Sequence, residues 1–184
     1  MAFVGVMRLG IAALIALAVG SGALAQQAPA PAPPAGPTPQ RTTATFDDWT
    51  LRCETQGNPP VKNCELVQAV TTSGQAQPIT QIAIGRAQPK DPLKIVFQLP
   101  VNVWLPAGVN LVFDAKAPPI PAALRWCTPA GCFADLDLSA DQVKRLRAVT
   151  VQGRFTFKDA GQRDVNIPVS FKGFSAALDA LAKQ

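Results

Sequence analysis

The sequence predicts an all-β domain with two short helices, and three observations support this class. Several segments alternate apolar and polar residues with a period of two, which is the pattern of half-buried strands. Proline, glycine and asparagine separate these segments at short intervals, as turns do in sandwiches and barrels. Helical spacing of apolar residues is confined to two short segments. A β-sandwich or barrel of about nine strands is therefore expected.

Three predicted strands have the clearest alternation. The segment 149–157 places its apolar residues, Val151 among them, on one face, and 93–99 behaves in the same way. The segment 165–171 also alternates, and Pro168 within it has no N–H, which predicts a strand at a sheet edge. Weaker alternation predicts further strands at 46–53, 64–70, 79–85, 109–114, 122–127 and 132–138.

Two helices are expected near the C-terminal end of the chain. Ser139 and Gln142 have the spacing of a capping box, so a helix should begin there and extend to about Arg147. The segment 175–183 has three apolar residues on one helical stripe, namely Ala177, Leu178 and Leu181. Such a stripe predicts that the C-terminal helix packs against the sheets.

The first 25 residues have the order of a secretory signal peptide. A single basic residue, Arg8, precedes the apolar run 9–19, and small residues at 23–25 predict cleavage after Ala25. The apolar run is shorter than the roughly 20 residues that a membrane-spanning helix needs. We expect no transmembrane segment in the mature chain and a location in the periplasm or, after secretion, at the cell surface.

A change of composition marks a linker at 26–44. Residues 28–39 are rich in alanine and proline and lack apolar periodicity, a composition that favours an extended polyproline II spacer over a packed core. Docking of this segment into an aromatic-lined groove is the alternative interpretation. The remaining residues, 45–184, suffice for one folded domain.

Four cysteines follow this signal: Cys53, Cys64, Cys127 and Cys132. An even number of cysteines in an exported chain indicates structural disulfides. Three pairings are open, and we favour pairing within each close couple because a turn-rich stretch separates its members. Zinc or redox roles are disfavoured because the chain has no histidine and no Cys-x-x-Cys motif.

The residue types that are missing argue against an enzyme. Without histidine and tyrosine, histidine-based triads and imidazole metal sites are excluded. Glu54 and Glu65 each follow a cysteine, so a proton-sharing carboxylate pair is conceivable, as is a cation site at Asp135 and Asp137. Solvated polar faces explain both pairs more simply, and we expect no catalytic residue, cofactor or metal.

Two features suggest interaction sites. Trp104 lies in the apolar, proline-interrupted stretch 99–109, which is either a partner-binding anchor or a buried crossing between sheets. Lys144, Arg145 and Arg147 cluster near the end of the predicted helix, where they either bind anionic headgroups or complement the helix dipole. The net charge of +5 is modest, and no aromatic residues are interleaved with the basic ones. Nucleic acid is therefore not an expected partner.

Several motifs together resemble those of the invasion-associated locus B family of exported bacterial proteins. These are Phe46-Asp-Asp-Trp49 with Cys53, Leu99–Val109, Cys127–Ala134, Ile167–Phe174 and Ala177–Leu181. The resemblance implies an immunoglobulin-like β-sandwich and export to the envelope, with no established catalytic activity and no binding residues to carry over. The family takes its name from a role in the invasion of red blood cells by a pathogen.

The expected function is that of an exported, non-enzymatic envelope protein. It would act through contacts with an unknown protein partner in the envelope or on a host cell, in envelope maintenance or in attachment and invasion. The alternative is a binding module for an anionic envelope ligand such as lipid headgroups.

Overall fold

The computed structural model describes residues 40–71, 78–114 and 116–184. The predicted signal peptide at 1–25 and the linker residues 26–39 lie outside this range and remain predictions. Within the described ranges, no helix has both the length and the apolar character needed to cross a membrane.

The described residues form ten strands and two α-helices, and the all-β prediction is confirmed. The strands are β1 (Gln40–Phe46), β2 (Trp49–Gln56), β3 (Val61–Val70), β4 (Thr80–Gly85), β5 (Lys94–Leu99), β6 (Val109–Val112), β7 (Ile120–Thr128), β8 (Gly131–Asp137), β9 (Gly153–Lys158) and β10 (Asp164–Val169). The helices are α1 (Ala140–Arg147) and α2 (Phe174–Leu181), and Leu105–Ala107 forms one 3₁₀ turn. Neighbouring strands pair antiparallel in the order β1-β2-β3-β4-β5-β8-β7-β6-β9-β10.

The strands form two facing layers because β7 changes partner along its length. Its first residues, up to Ala122, pair with β6, and its later residues, from Ala123, pair with β8, with a register shift after Leu124. Such a bend allows one strand to belong to two sheets. The first layer therefore contains β1–β5, β8 and the end of β7, and the second contains the start of β7 with β6, β9 and β10. Phe97 of β5 and Phe155 of β9 meet between the layers with ring centroids 5.2 Å apart.

Both helices form where the sequence predicts them. The Ser139 hydroxyl accepts a hydrogen bond from the Gln142 N–H at 3.2 Å, and the Gln142 side-chain oxygen accepts one from the Ser139 N–H at 2.8 Å. These two bonds complete the capping box of α1. In α2 the predicted apolar stripe is buried. The ring of Trp49 packs 4.9 Å from that of Phe174, and its Nε1–H donates to the Ser170 carbonyl at 2.8 Å. The C-terminal helix is thereby fixed to the inner side of the first layer.

Several strand boundaries differ from the prediction. The predicted strand 46–53 is interrupted by a turn at Asp47 and Asp48, which separates β1 from β2. Two further differences have a clear physical cause. β9 begins at Gly153 rather than at 149, because the Val149 N–H bonds back to the Leu146 carbonyl and continues the turn that ends α1. Val151 is consequently 62% exposed. β1 begins at Gln40, inside the predicted linker. Its residues up to Thr45 are exposed, so the sequence offers no apolar alternation to reveal a strand.

The predicted edge position of the strand containing Pro168 is observed. β10 stands at one end of the strand order and pairs with β9, and Pro168 is exposed. β1 stands at the other end of the order.

Candidate functional site

Two cross-strand disulfides connect neighbouring strands of the first layer. Cys53 of β2 stands opposite Cys64 of β3, and Cys127 of β7 stands opposite Cys132 of β8. Both pairs are bonded, with Cα atoms 4.0 Å apart. The favoured pairing is therefore the one in the structure, and it follows from strand register because directly opposite residues share one face.

A groove of about 430 Å³ lies on the outer face of the first layer, beside the Cys53–Cys64 disulfide. Small residues of β4 and β5 form its floor, namely Ala83, Gly85 and Val96. Charged side chains from adjacent strands and from the segment after β4 form its walls: Arg41, Arg52, Glu54, Glu65, Arg86 and Lys94. We call this feature the charged groove.

The two glutamates in the charged groove are each bound to an arginine on the neighbouring strand. Arg52 Nε donates to Glu65 at 2.7 Å, and Arg41 donates to Glu54 at 3.2 Å. In this arrangement the carboxylates act as ion-pair partners. Proton sharing requires two carboxylates without such cations between them, so the structure does not support an acid–base pair at Glu54 and Glu65.

Asp135 of β8 is the centre of a second set of ion pairs. It accepts a hydrogen bond from Lys94 at 2.8 Å and one from Arg125 at 3.0 Å, and Lys94 also lies 2.9 Å from Asp137. The hydrogen bond from Lys94, with help from that of Arg125, holds the pKa of Asp135 below its ordinary value, although partial burial opposes this effect. The same contact to Asp135, followed by that to Asp137, raises the pKa of Lys94.

Lys94 occupies the position that a bound cation would need between Asp135 and Asp137. In the ranges that the structure describes, no cluster of three or more metal-binding side chains is found.

Arg86 is the cation of the charged groove that has no carboxylate partner among the described residues. Its guanidinium donates to the Pro89 carbonyl at 3.0 Å. A carbonyl does not neutralise a guanidinium, so one positive charge beside the small-residue floor remains available to an anionic group. Sequence analysis missed Arg86 because the partners of a cation become visible only when the strands are in register.

The stretch after β5 crosses from the first layer to the second, as one of the two predictions for Trp104 required. The Trp104 N–H donates to the Lys158 carbonyl at 2.8 Å, and Val103 bridges to Asp159. The predicted burial is wrong: Val101 is 56%, Trp104 40% and Leu105 53% exposed. The crossing runs over the end of the sandwich, where these contacts with the end of β9 hold it at the surface.

A further exposed tryptophan lies on β7, in the first layer. Trp126 is 48% exposed and stacks on Phe133, with centroids 5.3 Å apart and ring planes 14° from parallel. Trp126 and Phe133 form the ladder pair next to Cys127 and Cys132, and Cys132 Sγ lies 3.9 Å from the Val101 carbonyl oxygen.

We call Val101, Trp104, Leu105 and Trp126 the apolar end. Sequence analysis missed Trp126, although its place directly before a hairpin disulfide gave a usable signal.

The predicted basic cluster at the end of α1 is divided among different contacts. Arg147 is bound to Asp179 at 2.7 Å and to the Ser175 hydroxyl at 3.3 Å, which ties α1 to α2. Arg145 lies over the Phe113 ring at 5.0 Å, beside a hollow of about 560 Å³, and donates to a backbone carbonyl. Lys144 is exposed. The structure therefore does not gather the three cations into one binding site.

A two-layered β-sandwich with two cross-strand disulfides is the class of protein that these features define. The sequence profile of the Invasion associated locus B (IalB) protein family matches residues 49–182. The chain therefore belongs to the invasion associated locus B family.

Known proteins agree with this assignment. Invasion protein B homologs of Brucella abortus strain 2308 and of Brucella abortus biovar 1 strain 9-941 are each 28% identical over 140 residues, which is 74% of this chain and 77% of theirs. The crystal structure of invasion associated protein b from Bartonella henselae superimposes with a TM-score of 0.66 and 23% identity, over 77% of this chain and 95% of that one. This last likeness concerns the fold.

Proposed function

We propose that this chain is an exported, non-enzymatic protein of the bacterial envelope that acts through protein contacts. Its role would lie in envelope maintenance or in attachment to and invasion of a host cell, which the names of its relatives suggest. The observation that carries the proposal is the apolar end, where exposed Trp126 directly precedes the Cys127–Cys132 disulfide and the exposed stretch that carries Trp104 approaches the same bond at Val101.

The composition of the apolar end is suited to a protein interface. Tryptophan is enriched among the residues that contribute most to binding, and both Trp104 and Trp126 are about half exposed. Trp126 is supported from below by Phe133, and the backbone of Trp104 is fixed by its hydrogen bond to Lys158. Side chains held in place before binding lose less conformational freedom when a partner arrives.

The proposed export has two supports. Two disulfides form and persist in an oxidising compartment, and residues 1–25 have the order of a signal peptide with cleavage after Ala25. The Ala/Pro-rich residues 26–39 would then be the N-terminal segment of the mature chain, with a composition that favours an extended spacer. The periplasm or the cell surface is the proposed location.

Photo-crosslinking in intact envelopes tests the contact proposal. A photoreactive residue in place of Leu105 should capture one defined protein, because Leu105 is adjacent to Trp104 and 53% exposed. Recovery should fall at least about tenfold when Trp104 and Trp126 are replaced by alanine, as expected for interface anchors. Circular dichroism would check that both variants are folded.

The matched control places the same probe at Val61. This residue is also apolar and exposed, at 49%, but it begins β3 near the other end of the layer. Equal capture from Val61 and Leu105, or no product above background from Leu105, would contradict the proposal.

A second candidate function is binding of an anionic envelope ligand, and Arg86 in the charged groove favours it. The predicted site at Lys144, Arg145 and Arg147 is divided, whereas the groove joins a small-residue floor to one cation without a carboxylate partner among the described residues. A phosphate or carboxylate headgroup with an apolar tail has the matching chemistry.

Vesicle binding tests this second candidate. Vesicles containing phosphatidylglycerol should bind the protein more tightly than phosphatidylcholine vesicles, and the difference should shrink with added salt. Arg86→Glu should abolish the preference, whereas Lys144→Glu, an exposed charge reversal on α1, should preserve it. If Lys144→Glu lost the preference for phosphatidylglycerol and Arg86→Glu kept it, the binding site would lie at the end of α1 instead. If the wild type showed no preference, this function would be rejected.

A further inference from the structure

The two edges of the strand order differ in their readiness to accept another strand. At one edge, Pro168 interrupts β10 and removes a backbone donor. At the other edge, β1 contains seven residues, none of them proline. Its one charged residue, Arg41, has its side chain engaged by Glu54. Natural edges are usually protected by proline or by charge, and β1 has little of this protection.

The backbone groups of β1 that have no partner among the described residues can be identified from its register with β2. Phe46 and Trp49 are opposite each other and are separated by two residues, which is the geometry of a hairpin closed by a hydrogen-bonded pair. Hydrogen-bonded and non-bonded pairs alternate along an antiparallel ladder. The N–H and C=O groups of Arg41, Thr43 and Thr45 therefore point away from β2, toward the open side.

We propose that β1 pairs with β1 of a second copy of this chain, antiparallel and with Thr43 opposite Thr43. The two copies are then related by a two-fold axis, which is the commonest symmetry of protein dimers. The outward groups of Arg41, Thr43 and Thr45 in both copies would supply about six new backbone hydrogen bonds. The two first layers would become one continuous sheet.

The side chains of β1 favour self-pairing in this register. With Thr43 at the axis, Arg41 stands opposite Thr45 of the second copy, and threonine faces threonine at the centre, a favourable cross-strand pair. Moving the axis to Arg41 would oppose two guanidinium groups, and like charges directly opposite are destabilising. Moving the axis to Thr45 would leave only the C-terminal end of β1 paired with the second copy. Moving it to Thr42 or Ala44 would leave only two of the three outward residues of each copy paired with β1.

Cysteine crosslinking of the mature, disulfide-bonded protein tests both the pairing and its register. Thr43→Cys should form covalent dimers under mild oxidation, at least about tenfold faster than Thr45→Cys, whose thiols lie apart in the proposed register. An equal mixture of Arg41→Cys and Thr45→Cys proteins should crosslink, since these positions are opposite. Equal rates for Thr43→Cys and Thr45→Cys, or no dimer in any arm, would overturn the proposal.

Sedimentation analysis of uncrosslinked protein gives the second measurement. Thr43→Pro removes an outward N–H without removing a hydrogen bond to β2, so it should raise the dimer dissociation constant at least about tenfold. Thr43→Val keeps the N–H and should leave the dissociation constant within about threefold of wild type. A chain that is monomeric at millimolar concentration, or a dimer that Thr43→Pro does not weaken, would contradict self-pairing through β1.

Discussion

The two ends of the first layer each contain a cross-strand disulfide, but the surroundings of the two bonds differ. Cys53–Cys64 lies beside the charged groove, where arginine and glutamate side chains pair across neighbouring strands. Cys127–Cys132 lies in the apolar end, between two stacked aromatic residues and the exposed crossing from β5. One sheet thus presents two surfaces of different composition, one charged and one apolar.

The difference also concerns what each disulfide stabilises. Cys53 is 4% exposed and belongs to the main core, together with Trp49 and Leu51 on the same face of β2. Cys127 is exposed, whereas its partner Cys132 is only 1% exposed. Their bond closes a hairpin in which Thr128 and Gly131 are the last paired residues. The first bond therefore joins two strands at the core, and the second chiefly closes a hairpin at the surface.

Removing each disulfide should have the largest effect on the free energy of unfolding, and the two losses should show which end contributes more to stability. Cys53 and Cys64 are 11 positions apart in the sequence, and Cys127 and Cys132 are 5 positions apart. Chain-entropy arithmetic predicts losses of about 3 kcal/mol for the double alanine variant at the first and about 2 kcal/mol at the second. Urea unfolding of the two variants and of the wild type measures both losses.

The unreduced and reduced wild type provide the control for these variants, because reduction should reproduce the combined loss if the disulfides act independently. A larger loss at Cys127–Cys132 than at Cys53–Cys64 would contradict the assignment of the first bond to the core. It would indicate that the apolar end contributes more to global stability than its exposure suggests.

The sequence was sufficient for features that depend on neighbouring residues. The capping box of α1 needs Ser139 and Gln142 alone, and strand alternation identified β5 closely because its inner residues are buried. The disulfide pairing was also accessible, since each couple lies across a short connection.

Features that depend on register or on solvent exposure could not be obtained in this way. The ion pairs of Glu54 and Glu65 require β1, β2 and β3 to be aligned. β1 itself has few buried side chains and hence no alternation. The exposure of Trp104 depends on where the crossing lies relative to the two layers. The spacing of residues in the sequence does not predict that position.

Asp135 links the two ends, and its replacement should have an intermediate effect. It accepts from Lys94 of the charged groove and from Arg125, which precedes Trp126 of the apolar end. Because Lys94 and Arg125 are both substantially exposed, Asp135→Asn should lower the free energy of unfolding at pH 7 by about 1 kcal/mol or less. Denaturant unfolding at pH 7 checks this value.

The pH dependence gives a sharper test of the same carboxylate. Hydrogen bonds from Lys94 and then Arg125 lower the pKa of Asp135 in the folded protein below the ordinary value of 3.8. Its contribution to stability is therefore fully present above about pH 5 and is lost as the pH falls through the lowered folded-state pKa. Asp135→Asn lacks this contribution, so its stability should decline less steeply than that of wild type below pH 4. Parallel declines would exclude Asp135 as a source of acid sensitivity.

Arg86→Gln and Trp104→Ala should have the smallest effects on stability and should separate the two ends by their response to salt. Both side chains are at the surface, so each change should alter the free energy of unfolding by less than about 0.5 kcal/mol. Screening at about 0.5 M salt reduces the range of electrostatic interactions to a few ångströms, so binding through Arg86 should weaken there, whereas apolar contacts through Trp104 should persist. Partner capture and vesicle binding, each measured at low and high salt in both variants, check this division. If partner capture required Arg86 and disappeared in salt, the charged groove rather than the apolar end would be the contact surface.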